Sequence, residues 1–192
     1  MNFPLILLLG IGVYAGAQVM FDCKPQPQET NIAPTGVATQ SSHPGNARLV
    51  IDGNPNTNYF KGSCSHTDYQ PRAWWRLDLQ HSWQIASIRV VNRGDCCSAR
   101  LNGAQIRIGN RPDNNNPVCG IITDISLGSS TRLCCHGMEG RYVSVVMPLR
   151  WEYLTLCEVE VFPVLQDQNM CKQLDLQPLS SYRVQSLTLN LS

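Results

Sequence analysis

Apolar and polar residues alternate with a period of two in run after run, and this constrains the chain more than any other feature. Trp75, Leu77 and Leu79 alternate with Trp74, Arg76 and Asp78; Ile88 and Val90 follow. Ala104, Ile106 and Ile108 alternate with Gln105, Arg107 and Gly109, and Val143, Val145 and Met147 repeat the pattern. A period of two puts successive side chains on opposite faces of an extended strand, and a helix cannot satisfy it. Turn signals separate the runs: Asp52-Gly53, Asn102-Gly103, Asn114-Asn115-Asn116-Pro117 and Gly128-Ser129. No amphipathic helical stretch competes with them. Many short strands joined by turns predict an all-β sandwich or jelly roll. One irregularity stands out. Leu154 and Leu156 set one apolar phase, Val159 and Val161 the opposite one. A β-bulge at Cys157-Glu158 would account for the slip and would turn Glu158 away from the core as an available ligand.

The first 17 residues carry no charged side chain, Phe3 to Tyr14 is almost wholly apolar, and Ala15-Gly16-Ala17 has the small-x-small form of a cleavage site. Residues 1–17 therefore resemble a secretory signal peptide. The run is short of the roughly 20 residues a membrane span needs. No second apolar run follows, so a secreted chain without membrane insertion is expected. Residues 18–30, with Pro25, Pro27 and several glutamines, form a linker; 31–163 hold the strand patterning; 164–192 form a C-terminal extension. That extension ends in the sequon Asn190-Leu191-Ser192. The formal charge is +1 with no basic run, so nucleic acid is not an expected partner.

Compartment decides how the nine cysteines are understood. In an oxidising environment they pair, and their odd number leaves one over, free or joined to another molecule. Cys134-Cys135-His136 is too tightly spaced for zinc. Cys96 and Cys97 are adjacent. Neighbouring Cα atoms lie about 3.8 Å apart, whereas an ordinary disulfide spans about 4.4–6.8 Å. A bridge between them would be strained, and strain concentrates at functional sites. The pair sits in Arg93-Gly94-Asp95-Cys96-Cys97, with His66 before it and Arg100 after it. The combination suggests a polar pocket with a sulfur-rich wall. Redox activity is disfavoured because no neighbouring base or helix start is evident to lower a thiol pKa. Arg93-Gly94-Asp95 also matches an integrin-binding tripeptide, a motif common by chance. Trp74 and Trp75 are expected to build core.

His66, then 26 residues, then Arg93-x-Asp95, then four residues, then Arg100 resembles the fucose-binding signature of the F-type lectins, or fucolectins. The flanking blocks are similar too: Ile51-Asp52-Gly53-Asn54, Gly62-Ser63-Cys64-Ser65-His66, Trp74-Trp75-Arg76-x-Asp78-Leu79, Gly140-Arg141-Tyr142-Val143 and Leu156-Cys157-Glu158-Val159-Glu160-Val161. The resemblance covers about residues 31–162 and implies a discoidin-like β-sandwich of the F-type lectin type. It implies that His66, Arg93 and Arg100 hydrogen-bond the hydroxyls of L-fucose and that a Cys96–Cys97 disulfide packs on the sugar's apolar edge. Chemistry agrees: a guanidinium is a fixed fork of donors that does not titrate, and an imidazole can donate or accept. Asp95 is placed to orient the arginines. Tyr59 and Phe60 are candidates for contact with the 6-methyl group, which of them inward being open.

The resemblance also implies Ca2+, held by the carbonyls of Leu49 and Cys157 and the side chains of Asp52, Asn54, Ser63 and Glu158. A hard cation gathers such oxygens from loops. It implies a Cys64–Cys157 bridge and pairs Cys119 with Cys134 or Cys135, loop length favouring Cys135. That leaves Cys23, Cys171 and one of Cys134 and Cys135; Cys23 and Cys171 flank the domain and could bridge, making the third a candidate for a covalent dimer. The expected function is recognition of fucosylated glycans on cells or microbes by a homo-oligomer, in innate recognition or agglutination. The competing class is a discoidin-like adhesion module binding protein or phospholipid, which shares the architecture but does not need the sugar triad. No paired carboxylates or nucleophile–base set points to an enzyme.

Overall fold

The computed structural model describes residues 24–165, apart from residue 149. The signal-peptide segment, Cys23, Cys171 and the Asn190 sequon lie outside them. Ten strands are present among the described residues: β1 (Val37–Gln40), β2 (Ser65–His66), β3 (Gln70–Pro71), β4 (Trp74–Val91), β5 (Gln105–Gly109), β6 (Val118–Ile121), β7 (Ser130–Val146), β8 (Trp151–Glu152), β9 (Thr155–Leu156) and β10 (Glu158–Pro163). The connections use short 3-10 turns, the longest being Pro44–Ile51.

Two long antiparallel strands, β4 and β7, organise the rest. Their register breaks between Asp78 and Trp83 and again between Ile85 and Ser87. Before the breaks, β1 extends the sheet beside β4, while β5 and then β6 extend it beside β7. Beyond them, β10 pairs with β4 from Ile85 to Val91. One pair of strands thus contributes to two stretches of sheet, which share one core. Trp75, Leu77, Ile85, Ile88, Ile106, Val143, Val145, Val159 and Val161 are completely buried within it. Each such side chain contributes roughly 1.5–3 kcal/mol relative to exposure. The Trp75 indole N–H donates to the Ala47 carbonyl at 2.9 Å, so its single polar atom is satisfied inside the core.

The two ends of this region meet. Ile32 N–H donates to the Val161 carbonyl at 3.0 Å, and Val161 N–H donates to Asn31 Oδ1 at 3.0 Å. Just ahead, Glu29 pairs with Arg132 through contacts of 2.5 and 2.9 Å.

The phase slip near Cys157 has a different origin from the one expected. No single bulged strand runs through it. β9 pairs with β2, Cys157 turns the chain, and β10 begins afresh against β4. Because both flanking segments are covered, Glu158 is not turned to solvent; it is 1% exposed.

Candidate functional site

The site forms where β4 ends and β10 begins. Beyond Val91, Asn92 N–H donates to the Ser129 carbonyl at 2.8 Å and its side-chain amide donates to the Ser98 carbonyl at 3.1 Å, fixing both sides of the loop between. Gly94 N–H donates to the Thr57 carbonyl at 2.8 Å. A Cβ at Gly94 would collide with Thr57 Oγ1, so only glycine lets the two loops come this close.

Arg93 is 7% exposed. Its Nε lies 3.1 Å from both Asp95 carboxylate oxygens and its Nη2 lies 2.5 Å from Oδ2. Asp95 Oδ1 also accepts Tyr59 N–H at 2.7 Å. The Arg93 hydrogen bonds, with the Tyr59 amide adding to them, bring the Asp95 carboxyl down to about 2. The guanidinium stacks on the Tyr59 ring, 4.5 Å from its centroid. Asp95 and Tyr59 thus hold the fork in one orientation, and Nη1 has no partner among the described residues. A charge-assisted bidentate pair of this kind fixes direction as well as energy.

His66 lies on β2, opposite Thr155 of β9. Its Nδ1 is 2.9 Å from the Thr67 carbonyl, which can only accept. Nδ1 therefore carries the proton, and in the neutral ring Nε2 is an acceptor. The Tyr59 ring meets the imidazole edge-on at 5.3 Å. Arg100 rides on the 3-10 turn Ser98–Leu101, entered through Cys97 in the left-handed region at φ 62°. Cys96 and Cys97 are disulfide-bonded, their Cα atoms 3.8 Å apart, between Asp95 and that turn. Of the two aromatic candidates, Tyr59 packs inside, against Arg93 and His66; Phe60 is 81% exposed at the rim.

A residue that sequence reasoning missed completes the group. Tyr153 lies beneath Arg100, 4.4 Å from guanidinium carbon to ring centroid, and 6.4 Å from the His66 ring. It joins the two ends of the triad across distant segments. The available sign was the alternation Trp151-x-Tyr153 just before the phase slip. Two fixed guanidinium groups, one imidazole acceptor, a disulfide wall and aromatic flanks suit a small polyhydroxylated ring with one apolar edge.

Of the residues expected to hold a cation, Glu158 lies close enough to Asp52 to feel its charge and follows Cys157 directly in the chain. Both of its oxygens are buried and make no hydrogen bond of good geometry among the described residues, although the Gly53 backbone N–H approaches closely enough to favour the charged form. Burial first, then the Asp52 and Glu160 carboxylates, push its carboxyl up to about 8. Asp52 follows the 3-10 stretch that carries Leu49. Asp52 Oδ1 accepts Asn54 N–H at 2.9 Å, and the Asn54 side-chain oxygen accepts Asn56 N–H at 3.2 Å. Ser63 is fully buried and donates to the Asn56 carbonyl at 2.5 Å. Cys157 is bridged to Cys64, tying this cluster to the segment that carries His66. A buried, poorly paired carboxylate held near the Asp52 carboxylate is a donor set that a hard divalent cation would satisfy.

Cys119 is bridged to Cys135. Cys134 is disulfide-bonded as well, so it is not the spare thiol that a Cys23–Cys171 bridge would leave. All cysteines among the described residues are bonded.

The model of the NedA-like, galactose-binding domain family matches residues 49–145. The chain is 45% identical to fucolectin-1 of the eel Anguilla japonica over 148 residues, covering 71% of this chain and 83% of that protein. It is similar to an F-lectin (fucolectin) from the serum of striped bass, Morone saxatilis: 49% identity and a TM-score of 0.67 over 71% of this chain. The lectin domain of lectinolysin, solved with Lewis B antigen, is 29% identical, with a TM-score of 0.61 over 71% of this chain and 98% of that domain. The chain spans 48% of the striped bass protein and 33% of a Xenopus laevis pentraxin fusion protein to which it is 45% identical.

Proposed function

This chain belongs to the F-type lectin (fucolectin) family, and on that premise we propose that it is a secreted, calcium-containing lectin that binds L-fucose and fucosylated glycans. The observation that carries the reading is the convergence of His66, Arg93 and Arg100 on the aromatic pair Tyr59 and Tyr153. Arg93 Nη1 and the Arg100 guanidinium donate to ring hydroxyls, and His66 Nε2 accepts from one. Each reads the position of a hydroxyl because the side chain is itself held: Arg93 by Asp95, His66 by the Thr67 carbonyl, Arg100 by stacking on Tyr153. The Cys96–Cys97 wall and the Tyr59 ring supply apolar surface for the sugar's methyl-bearing edge, with Phe60 at the mouth.

Leu49, Asp52, Asn54, Ser63, Cys157 and Glu158 would hold Ca2+, whose positive charge would offset the repulsion between the Glu158 and Asp52 carboxylates. Its effect on recognition is indirect. The Cys64–Cys157 bridge couples the cluster to the loop that ends in His66. Serum origin of the striped bass lectin and the solved lectinolysin complex with Lewis B support an extracellular role in recognising fucosylated surfaces. Homo-oligomers would multiply a weak single-site affinity. Retention of the mature protein on immobilised L-fucose tests the reading. The wild type is retained; His66→Ala and Arg100→Ala elute in the flow-through while keeping the wild-type melting temperature within a few degrees. Removing one partner of a buried hydrogen bond costs about 1–3 kcal/mol, enough to defeat weak retention. Retention of both variants would refute the assignment.

A further inference from the structure

Trp75 belongs to the core, but its neighbour Trp74 does not. Alternation puts Trp74 on the outer face of the sheet. There it is half-buried, and its indole N–H has no partner among the described residues. Strand register sets two rows across that face. Trp74, Val146 and Gln105 are opposite one another on β4, β7 and β5, and Arg76, Ser144 and Arg107 form the next row. The loop after β5 folds back over the second row. Ser144 Oγ donates to Asn114 Oδ1 at 2.8 Å, Arg107 Nη1 donates to the Asn116 carbonyl at 2.8 Å, and Arg76 donates to the Pro112 carbonyl. The first row is left as the floor of a cleft of about 750 Å3, with Arg72, Arg107 and Asn115 also lining it.

Positive charge collects here without a counter-charge. Arg89, Arg93, Arg111, Arg132 and Arg141 each pair with a carboxylate. Arg72, Arg76 and Arg107 pair with none among the described residues. The Arg107 fork is held by neutral oxygens, those of the Gln105 amide and the Asn116 carbonyl, which leave one hydrogen free on each terminal nitrogen. The Arg76 guanidinium lies over the Trp74 ring, 5.1 Å from its centroid. Asp113, the carboxylate on the lining, is taken up by Arg111 at 2.5 Å. A bare anion would need no aromatic floor, and a neutral sugar would leave the guanidinium charge uncompensated. An indole, a fixed guanidinium fork and side-chain amides together suit a pyranose that carries an anionic group.

We propose that this cleft is a second carbohydrate site, for a pyranose bearing a carboxylate or a sulfate. Trp74 packs on the sugar ring, Arg107 and Arg72 pair with the anionic group, and the Gln105 and Asn115 amides bond its hydroxyls. None of the residues assigned to fucose lines the cleft, so this site does not rest on the fucose reading. One domain thereby engages two chemically different sugars on separate surfaces.

The test is an NMR titration of the mature protein, following the Trp74 indole N–H, which Trp74→Phe assigns by removing its signal. The probes are D-glucuronic acid and N-acetylneuraminic acid for the carboxylate, galactose 6-sulfate for the sulfate ester, and D-galactose and inorganic sulfate as controls. At least one acidic sugar should shift the Trp74 signal saturably, and which one does so decides between carboxylate and sulfate. Neither control should match it. Arg72→Gln and Arg107→Gln should each weaken that binding about ten-fold, the loss of a hydrogen bond to a charged group. Both should keep fucose affinity within about two-fold of wild type, as expected of independent sites. Arg72 is exposed, so Arg72→Gln decides the matter if Arg107→Gln fails to fold. No saturable shift with any acidic sugar would overturn the site, and so would Arg72→Gln binding as wild type does. Equal affinity for inorganic sulfate would reduce the cleft to a charged surface, and equal affinity for D-galactose would remove the role of the arginines; either result overturns the proposal. Failure of the wild type to bind fucose would count against the pocket alone and leave this test intact.

Discussion

Substituting Glu158 by Gln separates charge from coordination at the proposed calcium cluster. In the chain without metal, burial and the facing Asp52 carboxylate raise the Glu158 carboxyl from an ordinary 4.5 to about 8. A raised carboxyl means that the folded state holds a proton that the unfolded state releases. The folded state is therefore favoured least at high pH: stability falls as pH rises from about 4.5 toward about 8. At about 1.4 kcal/mol per pH unit, the loss between pH 5 and 7 is on the order of 3 kcal/mol. For a chain of this size that corresponds to roughly 10 °C in melting temperature. A glutamine side chain at this position has nearly the same shape and no charge to bury. Its amide is buried unpaired at every pH, and that cost cancels when pH slopes are compared. Thermal melts from pH 5 to 8, in chelator and in excess calcium, make the comparison. In chelator, wild type should lose roughly 10 °C between pH 5 and 7 relative to Glu158→Gln. Calcium should restore the wild type, since a ligand of the folded state alone stabilises it by mass action, and should do little for the variant. Parallel slopes in chelator would refute the buried-charge reasoning. Equal stabilisation of both proteins by calcium would refute Glu158 as a ligand.

Three further outcomes are expected. Arg93→Lys should abolish measurable fucose binding, because an ammonium has no planar fork to share between Asp95 and a sugar hydroxyl; normal binding in a fucose titration would refute the geometric role. Gly94→Ala should destabilise the fold and weaken fucose binding together, since the added Cβ would collide with Thr57 Oγ1; a melt and a titration matching wild type would count against the close approach of those loops. The Asp95 carboxyl should titrate at about 2 by NMR, its pairing with Arg93 contributing fully above the ordinary 3.8 and lost only as pH falls through about 2; a value near 3.8 would mean the pair is not formed in solution.

The parts of the molecule legible in the sequence are those set by local pattern. Alternation along Trp74–Leu79, Ala104–Ile108 and Val143–Met147 placed the buried faces of β4, β5 and β7, because a period of two survives whatever the strand pairs with. What the pattern lacks is partner identity. The slip at Cys157 is equally consistent with one bulged strand or with two strands in different sheets, and only the pairing of β9 with β2 decides it. Glu158 is buried for the same reason. The choice between Tyr59 and Phe60 turns on a hydrogen bond from Tyr59 N–H to Asp95, 36 positions along the chain. Tyr153 has no motif of its own, since its place under Arg100 is purely tertiary. Loop length favoured Cys135 over Cys134 as the partner of Cys119, and that bridge is the one formed; neighbouring residues on a strand face opposite sides, so the fold admits only one of them.

Fucose recognition is tested most directly by calorimetric titration of the calcium-loaded mature protein with L-fucose, and with D-galactose as the competing sugar. Weak, saturable heat is expected with L-fucose, since a monosaccharide buries little surface and its hydroxyls were already hydrated, and none with D-galactose. Heat with D-galactose and none with L-fucose would contradict it.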